Sequence, residues 1–206
     1  MIRTAVRRVN EWDGPSMLKV FAPYVGTPAA PETKLPELQA YIQRIDRYTY
    51  GLGWLLCELN NQTVGFCHLS ENRHDPDNLF SVEFQVYVRQ GLHRMGIGRA
   101  LWGLMRDIME VGSRREAIAR VHRDNPEALA FFSAMGFAPQ GEEGEWQRLR
   151  YALTPADPQA QRPIKPYLID KFDYEPARER AAALVNQALA AERAHLLTPT
   201  PQGRQA

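Results

Sequence analysis

"SVEFQVYVRQGLHRMGIGRALW", residues 81–102, joins two unlike patterns without a break. From Phe80 to Val88 every even position is apolar, while Ser81, Glu83, Gln85, Tyr87 and Arg89 are polar or amphipathic. Period two over that length predicts a strand with one face on a core and the other against something polar. From Gly91 to Arg99 the chain then places Gly91, Gly96 and Gly98 among His93, Arg94 and Arg99. Leu101, Leu104, Met105, Ile108 and Val111 follow as the apolar stripe of a helix. Glycines permit positive φ and close approach of the backbone to a ligand, and the N-terminus of a helix presents unpaired N–H groups to an anion. A lone G-x-G, however, serves a structural strand-to-helix turn as well as a phosphate site.

Two phosphate motifs are excluded. No G-x-x-x-x-G-K-[ST] occurs, so the turn is not a P-loop, and a dinucleotide fingerprint would need glycine where Leu101 stands.

Working outward, "IRTAV" reads as a strand, and "DGPSMLKVFAPYV" as a helix opened by Pro15. "GTPAAPETKLP" is a proline-rich loop before a second helix, with Leu38, Tyr41, Ile42 and Ile45 in register. "GWLLCEL" and "TVGFCHLS" are strands joined by a hairpin at "NNQ". Beyond the opening segment come the strand "EAIARVH" and the helix "NPEALAFFSAMG", with Asn125 as N-cap, Pro126 at the first position and Gly136 as the stop. "EWQRLRYAL" is the last strand. The order gives a mixed α/β (α+β) fold rather than a regular doubly wound array.

Composition shifts after Leu153, so residues 1–153 are expected as the main domain and 154–206 as an extension. The extension comprises a linker or strap, an Ala-rich helix over 175–197 and a disordered tail at 198–206. The helix stripe of Ala181, Leu184, Val185, Ala188, Leu189 and Ala191 is open to three partners: its own domain, solvent or a second subunit.

Bulk properties narrow the function classes. A net charge of +1 provides no global field for nucleic acid or an acidic membrane. The N-terminus lacks the apolar core of a secretory leader, and no stretch approaches a membrane span, so a cytoplasmic protein is expected. Cys57 and Cys67 lack metal-ligand spacing and read as buried hydrophobes, so no metal is expected.

"VEFQVYVRQGLHRMGIGRALW" resembles the acetyl-CoA motif of the GNAT superfamily of N-acetyltransferases, a strand ending V-x-V followed by [QR]-x-x-G-x-[GA]. "DNPEALAFFSAMGF" resembles the second motif of that superfamily. "VFAPYVGTPAAPETKLPELQAYIQRI", together with a glutamate three residues before the first valine of V-Y-V, resembles the phosphinothricin acetyltransferase-like branch. The resemblance covers roughly residues 2–153. It implies the GNAT fold, a central, mostly antiparallel, splayed sheet flanked by helices, with acetyl-CoA as co-substrate and frequent dimers.

Carried onto this chain, the resemblance places pantetheine against the backbone of Val86, Tyr87 and Val88. It places the diphosphate on Arg94, Met95, Gly96, Ile97, Gly98 and Arg99, and assigns Asn125 to the reacting end. Glu83 is expected to accept the ammonium proton, as acetyl transfer needs a neutral amine. Three residues of strand, about 10 Å at about 3.3 Å each, lie between Glu83 and Val86. A structural salt bridge is the competing role for Glu83. Arg73 is a candidate for an anionic group on the substrate.

The chain departs from the family pattern at His93, where glutamine or arginine is usual, at Phe132, where an acid is usual, and near Pro31, where an aromatic residue is commoner. His122 and Tyr87 are the available substitutes for the acid. The expected acceptor is the amine of a small molecule, an amino acid or an analogue such as phosphinothricin or methionine sulfoximine. A peptide or protein N-acetyltransferase, or a non-catalytic acyl-CoA-binding protein, are the alternatives.

Overall fold

A computed structural model describes residues 2–49, 51–169 and 171–197; the tail expected at 198–206 lies outside them. Five helices flank one seven-stranded sheet. In chain order the elements are β1 (Thr4–Arg8), α1 (Gly14–Phe21), α2 (Leu38–Thr49), β2 (Trp54–Leu59), β3 (Gln62–Glu71) and β4 (Ser81–Val88), then α3 (Ile97–Val111), β5 (Glu116–His122), α4 (Pro126–Ala134), β6 (Ala138–Glu143), β7 (Trp146–Ala152) and α5 (Lys171–Leu197). The strand order is β1-β2-β3-β4-β5-β7-β6, and every neighbouring pair is antiparallel except β4 and β5. The mixed α/β class is the one the sequence pattern implied, and the mostly antiparallel sheet is the one the family resemblance implied.

Local chemistry accounts for the elements. Asn60 and Asn61 take φ of 50° and 61°, the paired positive angles of the tight β2–β3 hairpin. Asn125 accepts a hydrogen bond from the Ala128 N–H at 3.1 Å and Pro126 follows it, so α4 starts there.

Side-chain alternation divides the core between the two faces of the sheet. Leu55, Cys57, Cys67, Val82 and Phe84 face α3 and α5, whereas Trp54, Leu56, Phe66 and Tyr87 face α1 and α2. The second face of β4 is therefore less open than its polar residues suggested, since Ser81, Glu83 and Tyr87 are all buried. Phe21, Tyr24 and Phe66 pack around the Tyr87 ring, and the segment before β4 covers Glu83.

On the α1–α2 face His68 stacks on Trp54 with centroids 4.2 Å apart. Burial, with the charge of Arg44 adding to it, holds the imidazole down to about 3. Below pH 6.5 the unfolded chain protonates this histidine while the folded chain does not, so stability falls as the pH drops from 6.5 toward 3. The expected contribution is about 2 kcal/mol lost at pH 5. Urea midpoints at pH 7 and pH 5 measure it, and His68→Phe should shrink the difference.

Segment 154–169 runs back over the domain as a strap. Ala156 N–H donates to Glu110 O at 2.8 Å and Ile164 N–H to Gly112 O at 2.9 Å. Helix α5 then lies along α3 and β1, burying Ala177, Ala181 and Val185 in the same cluster as the inner face of α3. Arg180 Nη2 reaches Asp107 at 3.2 Å, and Thr4 Oγ1 donates to Asn186 Oδ1 at 2.6 Å. Of the three partners open to the alanine stripe, its own domain covers Ala181 and Val185, packs partly over Leu184, Ala188 and Leu189, and leaves Ala191 exposed.

Candidate active site

Strands β4 and β5 pair only where Ser81–Glu83 meet Glu116–Ile118; beyond that rung they part. The Arg89 N–H donates to Val64 O across β3 at 2.8 Å. By alternation, Tyr87 also aims its peptide groups at β3, and Val86 and Val88 aim theirs into the gap left by β5. A wedge between two strands thus opens, edged by peptide N–H and C=O groups that no strand occupies. A groove of about 1190 Å³ follows this wedge.

At its far end the groove meets the start of α3. Gly96 takes φ of 74° as N-cap and offers no side chain, and the first backbone bond of the helix closes from Ala100 N–H to Gly96 O. The N–H groups of Ile97, Gly98 and Arg99 are consequently left for a ligand. Arg94 and Arg99 line the same end, and neither is ion-paired among the described residues. Uncapped amides, a positive helix end and two guanidinium groups without ion pairs among the described residues suit this end to an anion.

Most of the residues expected at the cofactor come together here. Val86, Tyr87, Val88, Arg94, Gly96, Gly98, Arg99 and Asn125 all line the groove. Met95 and Ile97 send their side chains into the α3 face of the core instead, leaving backbone as their contribution. Asn125 caps α4 from the groove wall, so both roles open to it use one position.

Glu83 and Arg73 stand apart from the groove lining and are bonded to each other. Glu83 sits on the last paired rung, its side chain 3% exposed. Arg73 Nε donates to Oε1 at 3.0 Å, Nη2 to Oε2 at 3.1 Å, and its backbone N–H to Oε1 at 3.1 Å. Such a charge-assisted fork fixes the carboxylate in one orientation. The next residue on the strand, Phe84, already lines the groove.

Phe132 forms part of the groove wall, edge-on to Phe84 with centroids 6.2 Å apart. His122 lies 3.3 Å from Glu145 Oε2 and stands edge-on to Trp146, outside the lining. The hydroxyl of Tyr87 faces Gln85 Oε1 at 3.3 Å, and burial pushes its ionisation well up.

Two sets of groove residues escape sequence reasoning. Tyr24, from the turn after α1, donates its hydroxyl to the Val88 carbonyl and lies 2.7 Å from His93 Nε2. Burial, with the Glu127 charge adding to it, pushes this phenol up to about 12, so it remains a donor. The histidine that departs from the motif thereby helps tie the glycine turn to β4, since His93 Nε2 also lies 3.2 Å from Val88 O. The second set comes from α5, where Leu184, Gln187 and Ala188 form a wall. No local pattern announces either contact, because the partners are dozens of residues apart. A smaller cavity of about 210 Å³ lies beneath Arg8, Thr49 and Pro166. Among the described residues no cluster of His, Cys, Asp and Glu is arranged to hold a metal, and no helix is long and apolar enough to cross a membrane.

A model of the Acetyltransferase (GNAT) family matches residues 16–137. Among curated proteins, none matches the chain. Solved structures with the same fold include a GNAT superfamily phosphinothricin acetyltransferase from Sinorhizobium meliloti in complex with acetyl-CoA. Its TM-score is 0.68 at 19% identity, covering 77% of this chain and 92% of that one. A ribosomal-protein-alanine N-acetyltransferase from Brucella melitensis gives 0.66 at 22%, covering 72% and 99%. A putative acetyltransferase from Salmonella typhimurium with its cofactor acetyl-CoA gives 0.67 at 18%, covering 76% and 98%. At these identities the likeness is one of fold.

Proposed function

The chain belongs to the GNAT acetyltransferase family, and we propose that it moves the acetyl group of acetyl-CoA to the amine of a small molecule, an amino acid or an analogue of the phosphinothricin or methionine sulfoximine kind. The observation that carries this reading is the parting of β4 from β5 immediately upstream of an uncapped helix start. A pantetheine arm has amides of its own and can take the place of the missing strand against Val86 and Val88. The diphosphate then falls on the amides of Ile97, Gly98 and Arg99, with Arg94 and Arg99 beside it.

The chain's own groups divide the remaining work. Peptide N–H groups of β4 in the gap stabilise charge developing on the thioester oxygen. Asn125 holds the arm near its reacting end. Glu83 accepts the ammonium proton through water, which requires that Arg73 release its grip. Arg73 is 47% exposed in its side chain and can turn outward. An anionic group on the acceptor would draw it away and free the carboxylate when substrate is present. A thiol with an ordinary value near 8.5 departs as thiolate with little help, so Phe132 in place of an acid is compatible with turnover. Pro28, Ala29 and Pro31 line the groove as a stiff apolar wall, which favours a compact acceptor. We place the reaction in the cytoplasm and expect a homodimer, a state that size-exclusion chromatography with light scattering reads directly.

Thiol release from acetyl-CoA with a panel of free amino acids and alanine-initiated peptides tests the acceptor. Turnover of a free amino acid supports the proposal, while turnover of peptides alone makes the protein a peptide acetyltransferase. Stabilisation without turnover of any amine would leave an acyl-CoA-binding protein. Cofactor binding is checked separately by thermal shift. Acetyl-CoA at about 100 times Kd should add about 2.7 kcal/mol, a rise in Tm of roughly 5–11 °C for a chain of this size. No shift at millimolar acetyl-CoA would remove the cofactor from the account.

A further inference from the structure

The matched family region ends at residue 137, yet α5, far beyond it, forms part of the groove wall. Its seating is firm. Ala177, Ala181 and Val185 are buried against the domain, and Arg180 and Asn186 bind Asp107 and Thr4. The following turn reaches the glycine turn itself. A Cβ built on Gly96 would come within 3.0 Å of Ala188 Cβ and 3.1 Å of Leu184 Cδ2. Positions 184, 187 and 188 share one helix face, so Gln187 is carried to the same edge of the groove.

We infer that α5 is a wall of the coenzyme site and that Gln187 is a binding residue for the diphosphate–nucleotide half of acetyl-CoA. Three observations set its position and role. The α5 residues meet the groove at Gly96, the anion-binding end, and the reacting end is lined instead by Phe84, Val121 and Phe132. Gln187 is exposed and makes no hydrogen bond to another described residue. Its side-chain amide offers two N–H donors without negative charge, which suits a phosphate oxygen. Leu184 and Ala188 pack at the turn and so set where the helix face that carries Gln187 meets the groove. The role concerns binding and not acetyl transfer, and it rests on the acetyl-CoA reading given above.

The test compares two thioesters on the full-length protein. Acetyl-CoA carries the nucleotide half and acetyl-pantetheine lacks it. Gln187→Ala should raise the KM for acetyl-CoA about tenfold, the scale of one hydrogen bond to a charged group. The KM for acetyl-pantetheine should stay put, as should kcat with either thioester. Gln187→Lys should restore or tighten acetyl-CoA binding and make it more sensitive to salt. Leu184→Asp, which brings a carboxylate to the phosphate end, should weaken acetyl-CoA further while sparing acetyl-pantetheine. Equal KM values for wild type and Gln187→Ala, or a parallel rise with both thioesters, would overturn the inference alone. Failure of the wild-type protein to bind acetyl-CoA would overturn the cofactor reading and the inference with it.

Discussion

Glu83→Gln should lower kcat at least about 100-fold and leave the acetyl-CoA Kd within about twofold, the range of a lost general base without a lost binding contact. Glutamine keeps the shape of the side chain and one acceptor oxygen for Arg73, but it cannot take a proton from the incoming amine. The fork to Arg73 would lose its charge, so a loss of about 1–3 kcal/mol of stability should accompany the change. Those two effects separate the roles open to Glu83. A carboxylate that merely anchors Arg73 loses stability on substitution and keeps its turnover per folded molecule. A carboxylate that takes the proton loses turnover even where folding is complete, and single-turnover rates measured well below Tm distinguish the cases. Arg73→Lys sharpens the test, because lysine retains the charge but not the fork. If Arg73 moves between Glu83 and the acceptor's anionic group, that variant should raise the amine KM more than it lowers kcat.

The pair also illustrates how far local pattern reaches. Period two in β4 was legible from Phe80 to Val88, and it set Val82 and Phe84 on a core face, the one that packs against α3. It could not tell that the opposite face would be covered, since the cover comes from Tyr24, Phe21 and Phe66 on other elements. Alternation encodes which side chains share a face, and it carries no record of what lies against that face. The same holds for α5. Its alanine stripe was plain in the sequence, but its docking on α3 and on Gly96 joins positions some ninety residues apart. Asn125, Pro126 and Gly136 were legible as helix punctuation because capping is decided within a few residues. Arg73 opposite Glu83 lay between these extremes: close in sequence, but in a loop without periodicity. The glycine turn was the most informative local feature because its conformational demand and its ligand chemistry occupy the same residues.

Gly96→Ala should accordingly have an effect on acetyl-CoA binding far beyond the size of a methyl group. Gly96 holds φ of 74°, where a side chain costs about 1–2 kcal/mol. The added Cβ would in addition press on Ala188 at 3.0 Å and Leu184 at 3.1 Å, both anchored by the buried part of α5. Either the helix start rotates, turning the amides of Ile97 and Gly98 off the diphosphate, or α5 lifts away from the groove. Both outcomes damage the anion-binding end, so acetyl-CoA affinity should fall by about 30-fold or more, the equivalent of about 2 kcal/mol. Gly91→Ala is the control. Gly91 has a similar φ of 82° but open space around its Cβ position. It therefore carries the conformational strain without the contact on α5. Isothermal titration with CoA reads both variants, and Gly91→Ala should fall well short of Gly96→Ala. Equal losses would mean that backbone strain alone governs the turn and that the packing of α5 on Gly96 adds nothing to binding. An excess at Gly96 is the share of affinity that depends on α5 holding the turn in place, which no residue inside the matched motif could supply.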